Sequence, residues 1–136
     1  MKNNLLNEMS HMLMQNYIHK DHIVVDMTMG NGFDTIHLAK LAFHVYAFDI
    51  QDQAIHSTKE KLDLEKLYNV SLIKDSHTNL TNYIKSFDYV VFNLGYLPKG
   101  DKSITTQSDT SLKAVKLAVE HVSYGGFVQI TVYTGH

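Results

Sequence analysis

A doubly wound, Rossmann-like α/β fold around a parallel sheet of at least five strands is what this 136-residue sequence predicts, on three observations. Short runs of β-branched and aromatic residues alternate with longer stretches of helical period, which gives crossover connections and a parallel sheet. The runs are apolar almost throughout, as in strands covered on both faces. The first run enters a glycine turn that opens a helix, and the second ends on a carboxylate, Asp49, about twenty positions further on, the arrangement of a nucleotide-binding unit.

In chain order, Leu5, Leu6, Met9, Met12, Leu13 and Tyr17 recur at helical spacing, so an amphipathic helix precedes the first strand, with Met9, Met12 and Met14 read as helix packing. Strands are expected at 23–27, 45–48, 70–73, 89–92 and 127–133. Helices are expected at 34–41, 51–67 and 108–122, and a short one at 79–86. In the last long helix Leu112, Val115, Val119 and Val122 form the expected buried stripe, and Gly125-Gly126 terminates it. No repeat, linker or low-complexity tract divides the chain, so residues 1–136 read as one domain.

Composition narrows the function. There is no cysteine, which removes disulfides, a thiol nucleophile and Cys-based zinc sites. His19 and His22 lack a third ligand at a metal spacing, so no metal is expected. His37, His44, His56 and His121 read as exposed or satisfied histidines. Neither a Gly-x-Ser-x-Gly elbow nor a Walker lysine is present, against a serine hydrolase or a P-loop enzyme. No signal peptide or membrane span is seen, so the expectation is a cytoplasmic protein with no membrane partner. Twelve lysines and no arginine against fourteen acids give a net charge of −2, without a strongly basic nucleic-acid footprint.

The turn at 26–35, DMTMGNGFDT, selects the ligand. A dinucleotide pyrophosphate needs bare backbone N–H groups and no adjacent carboxylate. Here Asp26 closes the strand, Asp34 opens the helix, and Thr35 replaces the third glycine of the dinucleotide fingerprint. S-adenosylmethionine carries no phosphate; its sulfonium, ammonium and ribose diol suit acidic residues and carbonyls. Gly30 and Gly32 let the backbone approach it. The cofactor-binding candidates are Asp26, Thr28, Gly30, Gly32, Asp34, Asp49, Gln51, Asp75, Ser76 and His77. Asp49 takes the ribose hydroxyls or, alternatively, caps the next helix. Gln51 lies along the ribose or adenine edge, or is an ordinary first-turn residue. Asp75 or Ser76 meets the adenine amine with His77 next to the reaction centre, or Lys74-Asp75-Ser76-His77 is a surface turn.

Asn93-Leu94-Gly95-Tyr96 resembles the Asn-Pro-Pro-Tyr turn of amino-directed methyltransferases. There the Asn oxygen and the next carbonyl accept from the target amine and aim its lone pair at the methyl group, and the aromatic residue stacks on the base. Asn93, Tyr96 and His77 are thus the catalytic candidates, in a turn leaving the fourth strand ahead of a polar loop at 99–108.

Taken together, DMTMGNGFDT at 26–35, FDIQ at 48–51, Ser76-His77, FNLGYLP at 92–98, GDKSITT at 100–106 and YTGH at 133–136 resemble the bacterial family labelled putative rRNA methylase. Its characterised members are tRNA wobble-uridine methyltransferases that convert 5-aminomethyl-(2-thio)uridine to the 5-methylaminomethyl form. The resemblance covers nearly the whole chain. It implies a class I methyltransferase fold, S-adenosylmethionine as cofactor, and a tRNA substrate bound at its anticodon region. It places cofactor contacts on Asn31, Asp34, Asp49, Gln51, Ser76 and His77. The tRNA rests on the resemblance alone. Family members continue with further strands and usually carry Pro where Thr134 stands. The expectation is therefore a C-terminally truncated chain, or an edge at 127–133 completed by a partner such as a second copy. The substrate amine must lose a proton before attack; His77, Asp101 and His136 are candidates to relay it, and none is selected. An rRNA or small-molecule amine substrate, and a non-catalytic cofactor-binding remnant, are the competing readings.

Overall fold

In the computed structural model the backbone is described for residues 2–96 and 102–134, and side chains for 5–95 and 109–132. Helix α1 (Lys2–Tyr17) leads into β1 (Ile23–Asp26), α2 (Phe33–Leu41), β2 (His44–Asp49), α3 (Asp52–Leu64) and β3 (Val70–Lys74). A 3₁₀ helix (His77–Asn82), β4 (Phe87–Tyr96), α4 (Lys102–His121) and β5 (Val122–Thr134) complete it. The five strands form one sheet in the order β3-β2-β1-β4-β5, every neighbouring pair parallel. From β1 the chain winds outward through β2 and β3, then returns to lay β4 on the other side. The strand order reverses between β1 and β4, and this is where an open α/β sheet leaves a crevice at its carboxyl ends.

Side chains alternate across the sheet, so each central strand feeds two cores. Val24, Val45, Tyr89 and Val91 pack with Met14 of α1, Ile18 just past its end, and Ile36, Leu38 and Leu62 of α2 and α3. Val25, Phe48, Val90 and Phe92 pack on the opposite face with Leu80, Ala114 and Ala118.

Several elements differ from expectation, each for a physical reason. Strand β4 does not end at Phe92: Asn93 to Tyr96 continue it, in register with Thr131 to Thr134 of β5. The supposed exit turn is ladder, which fixes Asn93 more firmly than a loop would. Gly125-Gly126 do not follow α4 as its cap but lie inside β5, at a break in register between Phe87 and Tyr89. Gly125 holds φ +83°, and a Cβ on Gly126 would stand 2.5 Å from the Asp88 carbonyl oxygen. In α4 the buried residues are Ser111, Ala114 and Ala118, while Leu112 and Val119 are 67% and 58% exposed. Small residues let the helix axis approach the sheet; of the expected stripe, Val115 and Val122 pack partly buried against the core, while Leu112 and Val119 turn outward. The same rotation occurs in α1: Ser10 and Met14 are buried, as is Ile18 just past its end, whereas Leu5, Met9, Met12, Leu13 and Tyr17 are exposed. Gln129 of β5 sets this face, donating from Nε2 to Ser10 Oγ at 2.7 Å while Tyr89 donates its hydroxyl to Gln129 Oε1. Helix α3 ends at Leu64, short of the expected 67, where Lys66 adopts φ +56°. The short helix begins at His77 because Ser76 caps it, accepting from Thr78 N at 3.2 Å.

Among the described residues no helix is long and apolar enough to cross a membrane.

Candidate functional site

At the β1/β4 reversal lies a cavity of about 850 Å³, lined by the turn after β1, the ends of β2 and β4, the 3₁₀ segment, and one face each of α1 and α4. Ten of the expected residues line it: Thr28, Gly30, Asn31, Gly32, Asp34, Asp49, Asp75, Ser76, His77 and Asn93. Asp26 and Gln51 do not, and the Tyr96 side chain lies outside the described residues.

Asp26 stands behind the turn as its strut. Fully buried, it accepts from Thr28 N at 3.1 Å and from the Thr35 hydroxyl at 2.7 Å. Thr35 therefore stands in the third glycine position as a hydrogen-bond donor. Burial first, then the neighbouring Asp34, pushes the Asp26 carboxyl up to about 7, against the bonds from Thr35 and Thr28. Asp26 is thus no fixed negative charge at the turn, and repulsion of a phosphate rests on Asp34 and Asp49.

Asp49 ties the turn to the second strand, accepting from Gly30 N at 3.0 Å and Gln51 N at 2.9 Å. The helix cap itself is Gln51, without a side-chain bond, so the alternative role of Asp49 as N-cap is not what the fold uses. Two backbone bonds leave its remaining lone pairs available to a diol. The turn's own amides are largely spent: Gly30 N on Asp49, Gly32 N on Met29 O, Thr28 N on Asp26 and Met29 N on Phe48 O. A turn so occupied offers no nest for a pyrophosphate. Gly32, at φ +88°, is obligatory: a Cβ there would sit 2.5 Å from Thr58 Oγ1 on α3.

Beyond β3, Asp75 accepts from Ser76 N (2.7 Å), Asn79 Nδ2 (2.8 Å) and the Tyr83 hydroxyl (2.6 Å). The Tyr83 bond, then those from Asn79 and Ser76, hold its carboxyl below the usual range. His77 is desolvated, which lowers its pKa despite Asp49, so its imidazole is neutral at pH 7; its Nδ1 is buried without a partner.

The second orphan belongs to Asn93. Its backbone N–H donates to Thr28 Oγ1 at 2.7 Å, a side chain extending the β1/β4 ladder one step past the end of β1. Its Nδ2 faces Asp34 Oδ2 at 3.4 Å, and its Oδ1 is buried and unpartnered. Among the described residues these two atoms, His77 Nδ1 and Asn93 Oδ1, are the buried side-chain polar atoms without a partner. An orphaned acceptor in a cavity wall is costly unless a ligand donor meets it.

Sequence reasoning missed the α1 side of the cavity. Asn7 and His11 line it, and His11 Nε2 lies 2.8 Å from Asp34 Oδ1. The available signal is a polar i, i+4 pair, Asn7 and His11, on a helix whose period places the apolar residues inward. Thr110 and Ser111 of α4 line the far wall. Among the described residues no group of His, Asp and Glu could hold a metal ion.

The residues fit S-adenosylmethionine: a carboxylate with free lone pairs at the end of β2, a glycine turn with its amides occupied, and unpartnered acceptors beside β4. Known proteins agree with the fold. The family described as putative rRNA methylase matches residues 45–136. The tRNA (mnm(5)s(2)U34)-methyltransferase of Arabidopsis thaliana chloroplasts is 38% identical over 95% of this chain, which spans 53% of that protein. An rRNA methylase from Streptococcus thermophilus superposes with a TM-score of 0.83 at 42% identity, covering 95% of this chain and 71% of its own. A Streptococcus mutans protein described as a putative methyltransferase, solved in complex with SAH, gives 0.80 at 43% identity, over 90% and 69%.

Proposed function

Since the chain belongs to the putative rRNA methylase family, we propose that it binds S-adenosylmethionine and methylates the primary amine of 5-aminomethyl-(2-thio)uridine at the wobble position of tRNA. S-adenosylmethionine supplies an electrophilic methyl group on a sulfonium; everything else falls to the chain's own residues. Asp49 accepts from the ribose hydroxyls, and Gly30, Asn31 and Gly32 carry the backbone that lies against the cofactor. Asp75 and Ser76 border the adenine. The single observation that carries the acceptor assignment is the buried, unpartnered Oδ1 of Asn93, on a strand whose backbone is pinned to Thr28. It accepts one N–H of the neutral amine and aims the nitrogen lone pair at the methyl group, so the residue works by positioning. Tyr96, three positions on along β4, is assigned to the base. The choice of tRNA and of this nucleoside follows the Arabidopsis relative's name.

The test is methyl transfer from labelled donor to tRNA bearing 5-aminomethyluridine at the wobble position, followed by nucleoside mass analysis. Asn93→Ala is expected to lower kcat by roughly a hundredfold or more, with affinity for S-adenosylhomocysteine near wild type. Normal turnover by the variant would remove the amine-acceptor role. Labelling of small amines, with no gain from tRNA, would redirect the substrate.

A further inference from the structure

We infer that His11, reaching in from α1, is a positioning residue for the methyl-accepting amine, acting through Asp34 on the Asn93 side-chain amide. The inference rests on the amine-acceptor reading of Asn93 given above and assigns the device that keeps that acceptor correctly turned.

An asparagine amide can rotate by half a turn at little steric cost, exchanging an acceptor for a two-proton donor. With Oδ1 toward the substrate, Asn93 accepts from the amine; with Nδ2 there, donor would face donor and the amine would lose its aim. The neighbour on the other side decides. A carboxylate only accepts, so Asp34 Oδ2, 3.4 Å from Nδ2, selects the rotamer that leaves Oδ1 buried and unpartnered. That contact is long, and its geometry depends on where the Asp34 side chain is held. His11 holds it, Nε2 to Oδ1 at 2.8 Å. Asp34 is well covered, at 13% side-chain exposure, so water competes little for its oxygens.

His11 is itself placed with unusual firmness for a helix surface residue. Its predecessor Ser10 accepts from Gln129 Nε2 at 2.7 Å, and Met14, one turn on, is fully buried. Its ring stacks on His37 of α2, centroids 4.1 Å apart and planes 8° from parallel. His37 Nε2 lies 3.4 Å from the His11 carbonyl oxygen, where it donates. Burial, with His11 second, lowers the His37 pKa, so the stack is not a pair of like charges. Thr28 thus fixes the backbone of Asn93, and the His37–His11–Asp34 line fixes its side chain.

The experiment uses the intact protein, tRNA carrying 5-aminomethyluridine at the wobble position, and calorimetry with S-adenosylhomocysteine. His11→Ala is expected to lower kcat about ten- to thirtyfold while KM for tRNA and affinity for S-adenosylhomocysteine stay within about threefold. His11→Gln, whose Nε2–H sits at a similar reach, recovers at least about tenfold of that loss. Asp34→Asn, which permits the amide to flip, is at least as impaired as His11→Ala. Combined with Asn93→Ala, His11→Ala adds less than about a twofold further loss, because both act through one group. Wild-type kcat in His11→Ala, a glutamine variant as slow as alanine, or losses that multiply in the double variant would each overturn the assignment. A silent His11→Ala beside an impaired Asn93→Ala removes His11 alone. A silent Asn93→Ala removes the amine-acceptor reading itself.

Discussion

At the β1/β2 end of the cavity, the carboxylates of Asp26 and Asp49 are engaged by the chain's own backbone and hydroxyl groups. At the β4 end, Asn93 keeps a buried oxygen with no partner at all. The first end is a preformed socket, whose shape persists whatever is bound. The second is an acceptor that the chain itself leaves unpaired and that the proposed reaction assigns to the substrate. The contrast matches what the proposed reaction requires: a cofactor bound reliably in every cycle, and an amine whose orientation decides the rate.

The largest effect expected at the socket end is on stability, and it comes from Asp26. Its carboxyl is raised from an ordinary 3.8 to about 7 by burial, with Asp34 adding to it. Between those values the folded state keeps a proton that the unfolded state has lost, so stability falls as pH rises through this window and levels off above it. The loss is on the order of 4 kcal/mol at most, by the usual conversion of pKa shift to free energy. Asp75 works oppositely and at lower pH: its carboxyl is held down by Tyr83, Asn79 and Ser76, so its contribution is lost only as pH falls below the ordinary carboxylate range. Urea unfolding at pH 5 and pH 8 checks this. Wild type should be less stable at the higher pH, and Asp26→Asn should flatten the difference. Equal pH dependence in both proteins would mean that Asp26 is not the buried proton holder.

A smaller effect is expected from Asp49→Ala, which removes two backbone bonds together with the ribose acceptor proposed above. S-adenosylhomocysteine binding should weaken by about 1.5–3 kcal/mol, the range for hydrogen bonds to a charged group. Unchanged affinity by calorimetry would show the socket to be built without it, and the contrast between the two ends would collapse.

The order of strands and helices was legible because each signal is local: apolar runs, helical periods, and a glycine turn between them. That Gly30, Gly32 and Asp49 meet at one cavity was legible for the same reason, since they are read from spacing. What could not be read depends on packing across the sheet. The continuation of β4 through Asn93 to Tyr96 is set by pairing with β5, 38 residues on in the chain. The outward turn of Leu112, Val119, Met9 and Met12 follows from small residues, Ser111, Ala114 and Ser10, allowing close approach. For His11 the polar i, i+4 pair with Asn7 marks a face of α1 but not what that face meets, because the partner Asp34 lies 23 positions on.

Thr28 tests where the boundary between the two ends lies. The sequence places it among the cofactor residues, yet its hydroxyl oxygen accepts from Asn93 N at 2.7 Å, while its own N–H is already held by Asp26. Thr28→Val keeps the shape and leaves the Asn93 N–H without its acceptor, so stability should fall by about 1–2 kcal/mol. The consequence for function is specific. With its backbone anchor gone, Asn93 shifts relative to the amine, and kcat should fall by about tenfold, while S-adenosylhomocysteine affinity stays within about threefold. Steady-state kinetics on aminomethyl-bearing tRNA, beside calorimetry, separates the alternatives. If the variant loses cofactor affinity and keeps its kcat, Thr28 belongs to the socket, and the acceptor end of the cavity begins at Asn93 itself.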